Sequence, residues 1–543
     1  MKLFLFLLRA NARRLTVAMV ISVISGASSA GMIPLVTYVW GNELYTDNRW
    51  TLAFVGVLAL FILSGLCAQL MVLHIALRAI TDLRMGLCEK ILRSPLRHVE
   101  ELDSPRIMAV LTEDVNTLAR VLPNIPRVVI DGTTMVAGAA YMAWLSPKAF
   151  LVILAFIAIG IGIYRLMWSK ALRLMAMGRD VYDEMFEQFR ALYAGIKQLK
   201  LNRPRRLSWK HRDLEGSLEG FRRLNFLGRV RIVIAENLTR LMFFGILGVI
   251  MFAVTRMSGV DSEVVTGFVV MALYLYRPLG LMLEQVAEFG RAVVSLRKVE
   301  SLGLSLAEGD HETDDEAPAP LPDWRSLEIR GATYAYRKEY DDSVFQMGPV
   351  DATFHPGELV FVVGGNGSGK TTFAKILTSL YPMEEGQILL DGVPVDGRNL
   401  EQYRQLFSVV FSDYHLFGDV LGDGERELDE HATEVLHELQ LDHKVSVTDG
   451  QLSTVDLSQG QRKRLALLAA YLEDRPFYVF DEWAADQDPE FKHVFYTHVL
   501  PELKQRGKTA VVITHDDRYF FAADRVLKLE DGKLVHDPGA NGA

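Results

Sequence analysis

Long apolar runs occur in the first half of the chain, and no run of comparable length follows residue 300. A helix needs about 20 apolar residues to span a bilayer. A buried strand in a water-soluble protein accounts for a run of about eight residues, but not of twenty. The pattern therefore predicts an all-α transmembrane domain with six helices. We place them at about residues 15–40, 51–74, 124–145, 148–168, 232–255 and 264–284.

The first apolar run has some features of a cleaved signal peptide. Arg9, Arg13 and Arg14 precede it, and the small residues at 26–31 resemble a signal-peptidase site. The apolar character nevertheless continues to Trp40, beyond the end of a typical signal core. We therefore interpret the run as a retained span, in which the small residues allow close packing between helices.

Basic residues are concentrated in the N-terminal segment and in two long connections, between spans 2 and 3 and between spans 4 and 5. Because Lys and Arg accumulate on the cytoplasmic side of a membrane, we predict that both termini and both long connections are cytoplasmic. Apolar residues recur at helical spacing in the second connection, as at Met185, Phe189 and Leu192. The connections are therefore predicted to be helical extensions of the spans.

Composition supports a chain with a membrane part and a water-soluble part. Of its 543 residues, 50% are hydrophobic and 23% are charged, which excludes a disordered chain. The formal net charge of -9 argues against a nucleic-acid partner. Cys67 and Cys88 are too few for a disulfide scaffold or a four-cysteine zinc site.

An acidic, proline-rich segment at residues 306–323 separates the two halves. After it, strand-like and helix-like patterns alternate, which is typical of an α/β domain with a mostly parallel sheet. We expect strands at 327–336, 358–363, 477–480 and 510–514, and a helix at 370–380. The predicted domains are residues 1–305 in the membrane, a linker at 306–323, and an α/β domain at 324–543.

A phosphate-binding loop follows the strand at 358–363. It fits the pattern G-x-x-x-x-G-K-[ST], whose glycines let backbone N–H groups close around phosphate oxygens while the next helix points its positive end at them. Lys370 would hold the β- and γ-phosphates, and the Thr371 hydroxyl would bind Mg²⁺. The predicted nucleotide-binding residues are Gly364, Gly365, Asn366, Gly367, Ser368, Gly369, Lys370, Thr371 and Thr372.

Two carboxylates end the apolar strand at 477–480. Asp481 would bind Mg²⁺ through water, and Glu482 would polarise the water that attacks the γ-phosphate. Together with the phosphate loop, this pair predicts an ATP hydrolase that uses ATP and Mg²⁺.

Between these motifs, the chain resembles the ATP-binding cassette (ABC) transporters, whose signature is commonly Leu-Ser-Gly-Gly-Gln. The corresponding residues are Leu457, Ser458, Gln459, Gly460 and Gln461. The resemblance extends to Tyr336 as the adenine-stacking aromatic residue, to Asp488 as the D-loop aspartate, and to His515 as the catalytic switch histidine. Six spans followed by one cassette resemble a half-size exporter. In this family the signature of one cassette closes over the phosphate loop of another, which implies a homodimer.

One segment departs from the family pattern. A glutamine that senses Mg²⁺ and the membrane domain is replaced by Ser412, which is followed by Asp413. Ser412 is a further candidate for metal contact, and the role could instead pass to Asp413. With the stretches at 481–489 and 514–520, this variant resembles the exporters of cyclic peptides, microcins and pyoverdine-type siderophores.

The resemblance implies ATP-driven export of a peptidic compound across the bacterial inner membrane. Binding of two ATP molecules would draw the cassettes together, and cytoplasmic segments near 103–112 and 192–200 would carry the movement to the spans. Three alternatives remain open from the sequence: a lipid flippase, an importer of iron-loaded siderophores, and a membrane-anchored ATPase that moves no solute.

Ionisable residues near the membrane suggest a substrate cavity. Glu236 and Arg240 lie at the start of span 5, and His74 and Arg127 could face the same space. Ionisable groups at membrane depth are costly and usually pair or line a cavity. The alternative is an ordinary pair, four residues apart, on a cytoplasmic extension of the helix.

Overall fold

The computed structural model describes residues 12–102, 104–256, 262–305, 324–336, 345–419 and 426–536. The chain forms two compact units. The first comprises Met1–Gly86 and Ala109–Ser301, and the second comprises Leu87–Met108 and Leu302–Ala543. The segment Leu87–Met108 thus groups with the C-terminal unit, whereas the sequence pattern had assigned it to the membrane domain. The predicted linker at 306–323 lies outside the described residues.

Helices make up most of the described part of the first half of the chain. Their bounds are α1 Ala12–Gly41, α2 Asn48–Leu92, α3 Leu96–Glu101, α4 Ser104–Ala109, α5 Val115–Val121, α6 Ile125–Leu145, α7 Pro147–Ala194, α8 Ile196–Leu201, α9 Arg203–Ser208, α10 Glu215–Phe252 and α11 Ser262–Ser305.

Within the described residues, four helical stretches are long and apolar enough to cross a membrane. They are Ala12–Gly41, Asn48–Leu92, Pro105–Leu145 and Val264–Leu302, and they contain predicted spans 1, 2, 3 and 6. Predicted span 4 begins in the shorter apolar helix Pro147–Gly162. Predicted span 5 begins within α10. Large apolar side chains such as Leu63 are exposed on these helices, as expected for surfaces that face lipid.

The small residues of the first span pack closely against α6. A Cβ atom at Gly26 would lie 2.5 Å from the carbonyl oxygen of Ile130. The Thr134 hydroxyl donates a hydrogen bond to the carbonyl oxygen of Gly26 at 3.2 Å. Such close approach of two backbones is the packing role that small residues have in membrane helices.

The C-terminal unit is an α/β domain, as predicted. A six-stranded sheet has the order β12-β11-β3-β10-β9-β6, and the strands from β11 to β6 are parallel. An antiparallel sheet has the order β2-β1-β4-β5, and β7 pairs with β8. The strands are β1 Leu327–Tyr336, β2 Phe345–Phe354, β3 Leu359–Val363, β4 Glu385–Leu390, β5 Val393–Pro394, β6 Phe407–Val410, β7 Val447–Thr448, β8 Gln451–Leu452, β9 Phe477–Asp481, β10 Thr509–Ile513, β11 Arg525–Glu530 and β12 Lys533–His536.

Helices cover both faces of the parallel sheet, which explains why its central strands are continuously apolar. Val362 and Val479 belong to the same buried cluster as Phe373, which lies on the helix after β3. Phe480 faces the opposite cluster with Leu468. The helices of this unit are α12 Lys370–Leu377, α13 Leu400–Arg404, α14 Arg426–Glu438, α15 Gln459–Glu473, α16 Pro489–Val494 and α17 Leu500–Gln505.

The short helix α3 is attached to the α/β domain by polar contacts. The Lys375 ammonium donates to the Glu100 carboxylate at 2.8 Å, and the Tyr381 hydroxyl donates to the same carboxylate. The Arg97 guanidinium lies 5.0 Å from the centre of the Tyr334 ring. These contacts explain why Leu87–Met108 groups with the second unit.

Candidate nucleotide site

The phosphate-binding loop connects β3 to α12 and has a backbone that requires glycine. Gly364 has φ 156°, and a Cβ atom there would lie 2.2 Å from the carbonyl oxygen of Leu529. Gly369, directly before α12, has φ 98°. A side chain at either position would be strained. The loop leads directly into the N-terminus of α12, where free backbone N–H groups are able to bind an anion.

The Lys370 side chain is folded into this loop. Its ammonium donates to the carbonyl oxygens of Gly364 at 3.1 Å and Gly365 at 3.0 Å. Burial lowers the pKa of Lys370, and the nearby charges of Glu482 and Asp481 oppose that shift. The cation thus lies within the loop that is predicted to surround the phosphates.

The donor set around Asp481 fits Mg²⁺. Asp481 is fully buried at the end of β9, and its Oδ2 accepts hydrogen bonds from the Thr371 hydroxyl at 2.9 Å and the Ser412 hydroxyl at 3.4 Å. Its Oδ1 is buried and has no hydrogen-bond partner. Burial raises the pKa of this carboxyl, against the hydrogen bond from Thr371. A water molecule bound to the metal would satisfy the unpaired oxygen.

The remaining metal ligands would come from outside the protein. Within the described residues, no group of three or more His, Cys, Asp or Glu side chains could hold a metal ion. Mg²⁺ typically binds one or two protein oxygens and completes its shell with phosphate and water. Thr371 and Asp481 are therefore a sufficient protein contribution for a nucleotide-bound ion.

Glu482 and His515 meet at the carboxyl ends of β9 and β10. The His515 Nε2 atom lies 3.1 Å from the Glu482 Oε1 atom, and both side chains are partly exposed. Glu482 has φ 49°, and its backbone N–H donates to the carbonyl oxygen of Ile513 at 3.1 Å. The sheet thus brings together two residues that are 33 positions apart.

Ser412 and Asp413 differ in their relation to the metal site. Ser412 follows β6 and contacts Asp481, as described above. Both residues are exposed, so the contact with Asp481 is what distinguishes them. Of the two residues left open by the sequence, the geometry favours Ser412 as the one next to Asp481.

The signature segment begins α15 at the surface of the domain. Ser458 is the N-cap residue, and it exchanges hydrogen bonds with Gln461 in a capping box. Ser458 and Gln459 are exposed, so a second chain can reach them. Gln459, which departs from the family signature, donates to the Asp486 carboxylate at 3.1 Å.

Asp488 caps the next helix. Its Oδ1 accepts a hydrogen bond from the backbone N–H of Phe491 at 2.9 Å, and its carboxylate pairs with Arg464. The hydrogen bond from Phe491 and the charge of Arg464 lower the pKa of Asp488. Tyr336 ends β1, and its side chain lies outside the described residues.

The predicted cavity residues lie on three helices of the first unit. His74 on α2, Arg127 on α6 and Arg240 on α10 are exposed. The Glu236 side chain lies outside the described residues.

Lys463 and Glu100 are two polar residues that the sequence analysis missed. Lys463 is a buried lysine beside Glu482. In the sequence it lies between Arg462 and Arg464, and no motif or charge pattern distinguishes it. Glu100 lies in the connection between spans 2 and 3, where acidic and basic residues are equally numerous, and it resembles an ordinary surface residue. No motif distinguishes it.

The phosphate loop, the paired carboxylates and the apolar helical region define a membrane-bound ATPase. The profile described as ABC transporter matches residues 347–485, and the profile described as ABC transporter transmembrane region matches residues 15–201. The chain is 36% identical to the ATP-binding protein SyrD of Pseudomonas syringae pv. syringae over 95% of this chain and 92% of that protein. The chain therefore belongs to the ABC transporter family.

More distant relatives are named as flippases. The ATP-dependent lipid A-core flippase of Dechloromonas aromatica is 27% identical over 89% of this chain and 83% of its own length. The protein of the same name from Pseudomonas aeruginosa is 25% identical over 93% and 84%, respectively. The prediction of a half-size ABC exporter, with an ATPase coupled to transport across a membrane, is confirmed by these similarities.

Proposed function

We propose that the protein exports a peptidic natural product across the bacterial inner membrane as a homodimer. The substrate would be a cyclic or lasso peptide, or a peptide siderophore or its precursor. The observation that carries this proposal is Ser412 beside Asp481, at the position where most of the family has glutamine. With this replacement, the segment around Ser412 resembles the corresponding segment of the exporters of cyclic peptides and siderophores. Both termini and the ATPase domain would be cytoplasmic.

Each ATP would be bound by residues of two chains. Lys370 would hold the phosphates. Thr371 and Asp481 would hold Mg²⁺, which when bound would supply positive charge to offset the charge that develops on the phosphates. Glu482 orients and deprotonates the attacking water, and His515 contacts the γ-phosphate. Ser458 of the partner chain closes the site over the same phosphate. Catalysis is mainly positional and electrostatic, as is typical of phosphoryl transfer.

The helix α3 offers a route from the ATPase to the spans. Glu100 contacts Lys375, which lies on the helix that follows the phosphate loop. The segment that carries Glu100 continues directly from α2, which contains predicted span 2. Closure of two cassettes would therefore move the cytoplasmic end of α2 and open the cavity outward.

Transport by reconstituted vesicles tests the function. Inside-out vesicles should accumulate a peptidic compound from a panel of cyclic peptides, lasso peptides and siderophores, and only when ATP is supplied. Stimulation of the ATPase by lipid and not by peptide would favour a flippase. ATP-dependent accumulation of a siderophore by right-side-out vesicles would indicate an importer. ATPase activity without transport of peptidic compounds or lipids would indicate a membrane-anchored ATPase.

Ser412 and Asp413 can be separated by substitution. Ser412→Ala should lower ATPase activity by about tenfold, because it removes a hydrogen bond to the buried Asp481 carboxylate. Asp413→Ala should stay within about twofold of wild type, since it leaves the hydrogen bond from Ser412 to Asp481 intact. Steady-state hydrolysis of Mg-ATP measures both. A larger loss for Asp413→Ala would transfer the metal or water contact to that residue.

The proposed cavity predicts a selective effect at Glu236. Glu236→Ala should abolish stimulation by the transported peptide and leave basal ATPase activity near wild type, because the residue would contact substrate and not nucleotide. Glu219→Ala is a matched control on α10, where Glu219 forms an exposed pair with Arg222 at 2.6 Å. Unchanged stimulation curves for both Glu236→Ala and Arg240→Ala would eliminate this turn as the binding site.

A further inference from the structure

Lys463 is a buried cation beside the proposed catalytic residue. It lies on α15, and its side chain is 3% exposed. Its ammonium donates to the backbone carbonyl oxygen of Glu482 at 3.0 Å and pairs with the Asp486 carboxylate at 2.8 Å. Burial of an ammonium group costs free energy unless hydrogen bonds replace its lost contacts with water. Both replacement partners lie in the segment that directly follows β9.

The backbone that Lys463 contacts is in an unfavourable conformation. Glu482 has a left-handed φ of 49°, a conformation that is unfavourable for a residue other than glycine. Such a conformation persists only where the surroundings hold it. The Trp483 indole N–H donates to the carbonyl oxygen of Lys463 at 2.7 Å. Two hydrogen bonds therefore connect Lys463 to the consecutive residues Glu482 and Trp483.

The start of α15 also contacts the segment that follows β9. Gln459 and Lys463 are four residues apart, and both contact the Asp486 carboxylate. The Gln487 side-chain amide donates to the carbonyl oxygen of Gly460 at 3.0 Å. A Cβ atom at Gly460 would lie 3.0 Å from the carbonyl oxygen of Asp486. The turn that follows Ser458 is thus packed directly on the residues that follow Glu482.

We infer that Lys463 is a positioning residue for Glu482. It fixes the strained backbone that aims the Glu482 carboxylate, and it links that carboxylate to the signature segment of the same chain. A shift of α15 when Ser458 meets the partner's ATP would then be transmitted to Glu482 in the chain's own site. This inference rests on the proposed role of Glu482 as the catalytic base.

Lys463→Met tests the inference in the full-length protein, because methionine is unbranched and apolar and has no donor. The turnover number for ATP should fall by about tenfold or more, whereas the dissociation constant for ATP should stay within about threefold. Lys508→Met is the matched control. Lys508 donates to the carbonyl and carboxylate of Asp474 at 2.8 and 3.0 Å, and Asp474 also has a left-handed φ of 44°.

The control lies at the other end of α15 from Ser458, about 20 Å away for a helix of this length. Lys508→Met should therefore keep wild-type turnover. Equal turnover of the two variants, or a parallel loss of ATP affinity in Lys463→Met, would overturn the inference.

A second variant separates positioning from stability. Lys463→Met/Asp486→Asn removes both charges of the pair, so its melting temperature should recover toward wild type. Its turnover should remain low, since Glu482 still lacks its carbonyl donor. Recovery of turnover together with melting temperature would overturn the inference, and this double variant carries the test if Lys463→Met alone does not fold.

A double-mutant cycle with Glu482→Gln identifies the residue through which Lys463 acts. In single-turnover hydrolysis, Lys463→Met should reduce the residual rate of Glu482→Gln by less than about threefold, because the two changes remove one function. The same fractional loss in both backgrounds would show that Lys463 acts independently of Glu482. Wild-type turnover of Glu482→Gln alone would instead contradict the proposed base.

Discussion

Glu482→Gln should lower the turnover number for ATP by at least about 100-fold, the range that a general base contributes. The amide cannot accept a proton from the attacking water. Its oxygen can still occupy the position of Oε1, which lies 3.1 Å from His515 Nε2. The contacts of Lys370 and Thr371 are untouched, so ATP should bind with nearly wild-type affinity. The variant should accumulate as a closed dimer with ATP bound.

Two measurements check this expectation. Hydrolysis of Mg-ATP gives the turnover number, and size-exclusion chromatography of the detergent-solubilised protein with labelled ATP gives the retained nucleotide. Glu490→Gln is the matched control, because Glu490 is an exposed carboxylate eight residues further along the same domain. Turnover of Glu482→Gln within threefold of wild type would falsify the assignment of Glu482 as the base.

The parts of the site that follow parallel strands were predictable from the sequence. The phosphate loop follows the apolar strand β3, Asp481 is the last residue of β9, and His515 follows β10. Parallel strands end at the same edge of the sheet, so these residues had to meet there. The fold class followed from the same signals. Apolar runs of about 20 residues indicate membrane helices, and runs of four or five indicate buried strands.

Contacts that depend on packing between distant segments were not predictable. Lys463 and Glu482 are 19 positions apart, and the sequence does not reveal which face of α15 is buried against the segment after β9. Glu100 and Lys375 are 275 residues apart. The connection between spans 2 and 3 has as many Asp and Glu as Lys and Arg residues, and nothing in that pattern indicates which acidic residue contacts a lysine in the α/β domain. The position of Leu87–Met108 in the second unit was missed for the same reason.

The hydrophobic pattern also left the choice between Ser412 and Asp413 open. The two residues are neighbours in the loop after β6, and a shift of one position along the backbone exchanges the side chain that points toward Asp481. The hydrogen bond from Ser412 to Asp481 is a property of the loop conformation, which residue spacing does not determine. The comparison of the two alanine variants is therefore informative about the loop as well as about the metal site.

Ser458→Arg should abolish ATP hydrolysis even though Lys370 and Glu482 of the same chain are unchanged. Ser458 is exposed at the start of α15, and the proposed dimer places it against the γ-phosphate bound by the partner. An arginine there adds bulk and charge where the two cassettes must close. Lys370→Ala should abolish hydrolysis for a different reason, since it removes the cation that holds the phosphates.

Mixed dimers of these two inactive chains distinguish a composite site from one formed within a single chain. If each site combines the phosphate loop of one chain with the signature of the other, a mixed dimer has one intact site and one site with both lesions. If each site lies within one chain, both sites carry a lesion. Co-expression with two different affinity tags and sequential purification would isolate the mixed dimers.

The composite arrangement predicts that purified mixed dimers recover up to roughly half of the wild-type ATPase activity, because one of two symmetry-related sites is intact. They should also trap one nucleotide per dimer with vanadate, which reports an intact site even if hydrolysis requires cooperation between the two sites. Dimers of either variant with itself should trap none. Mixed dimers that neither hydrolyse ATP nor trap nucleotide, despite being folded and paired, would exclude the cross-chain site and with it the proposed role of Ser458.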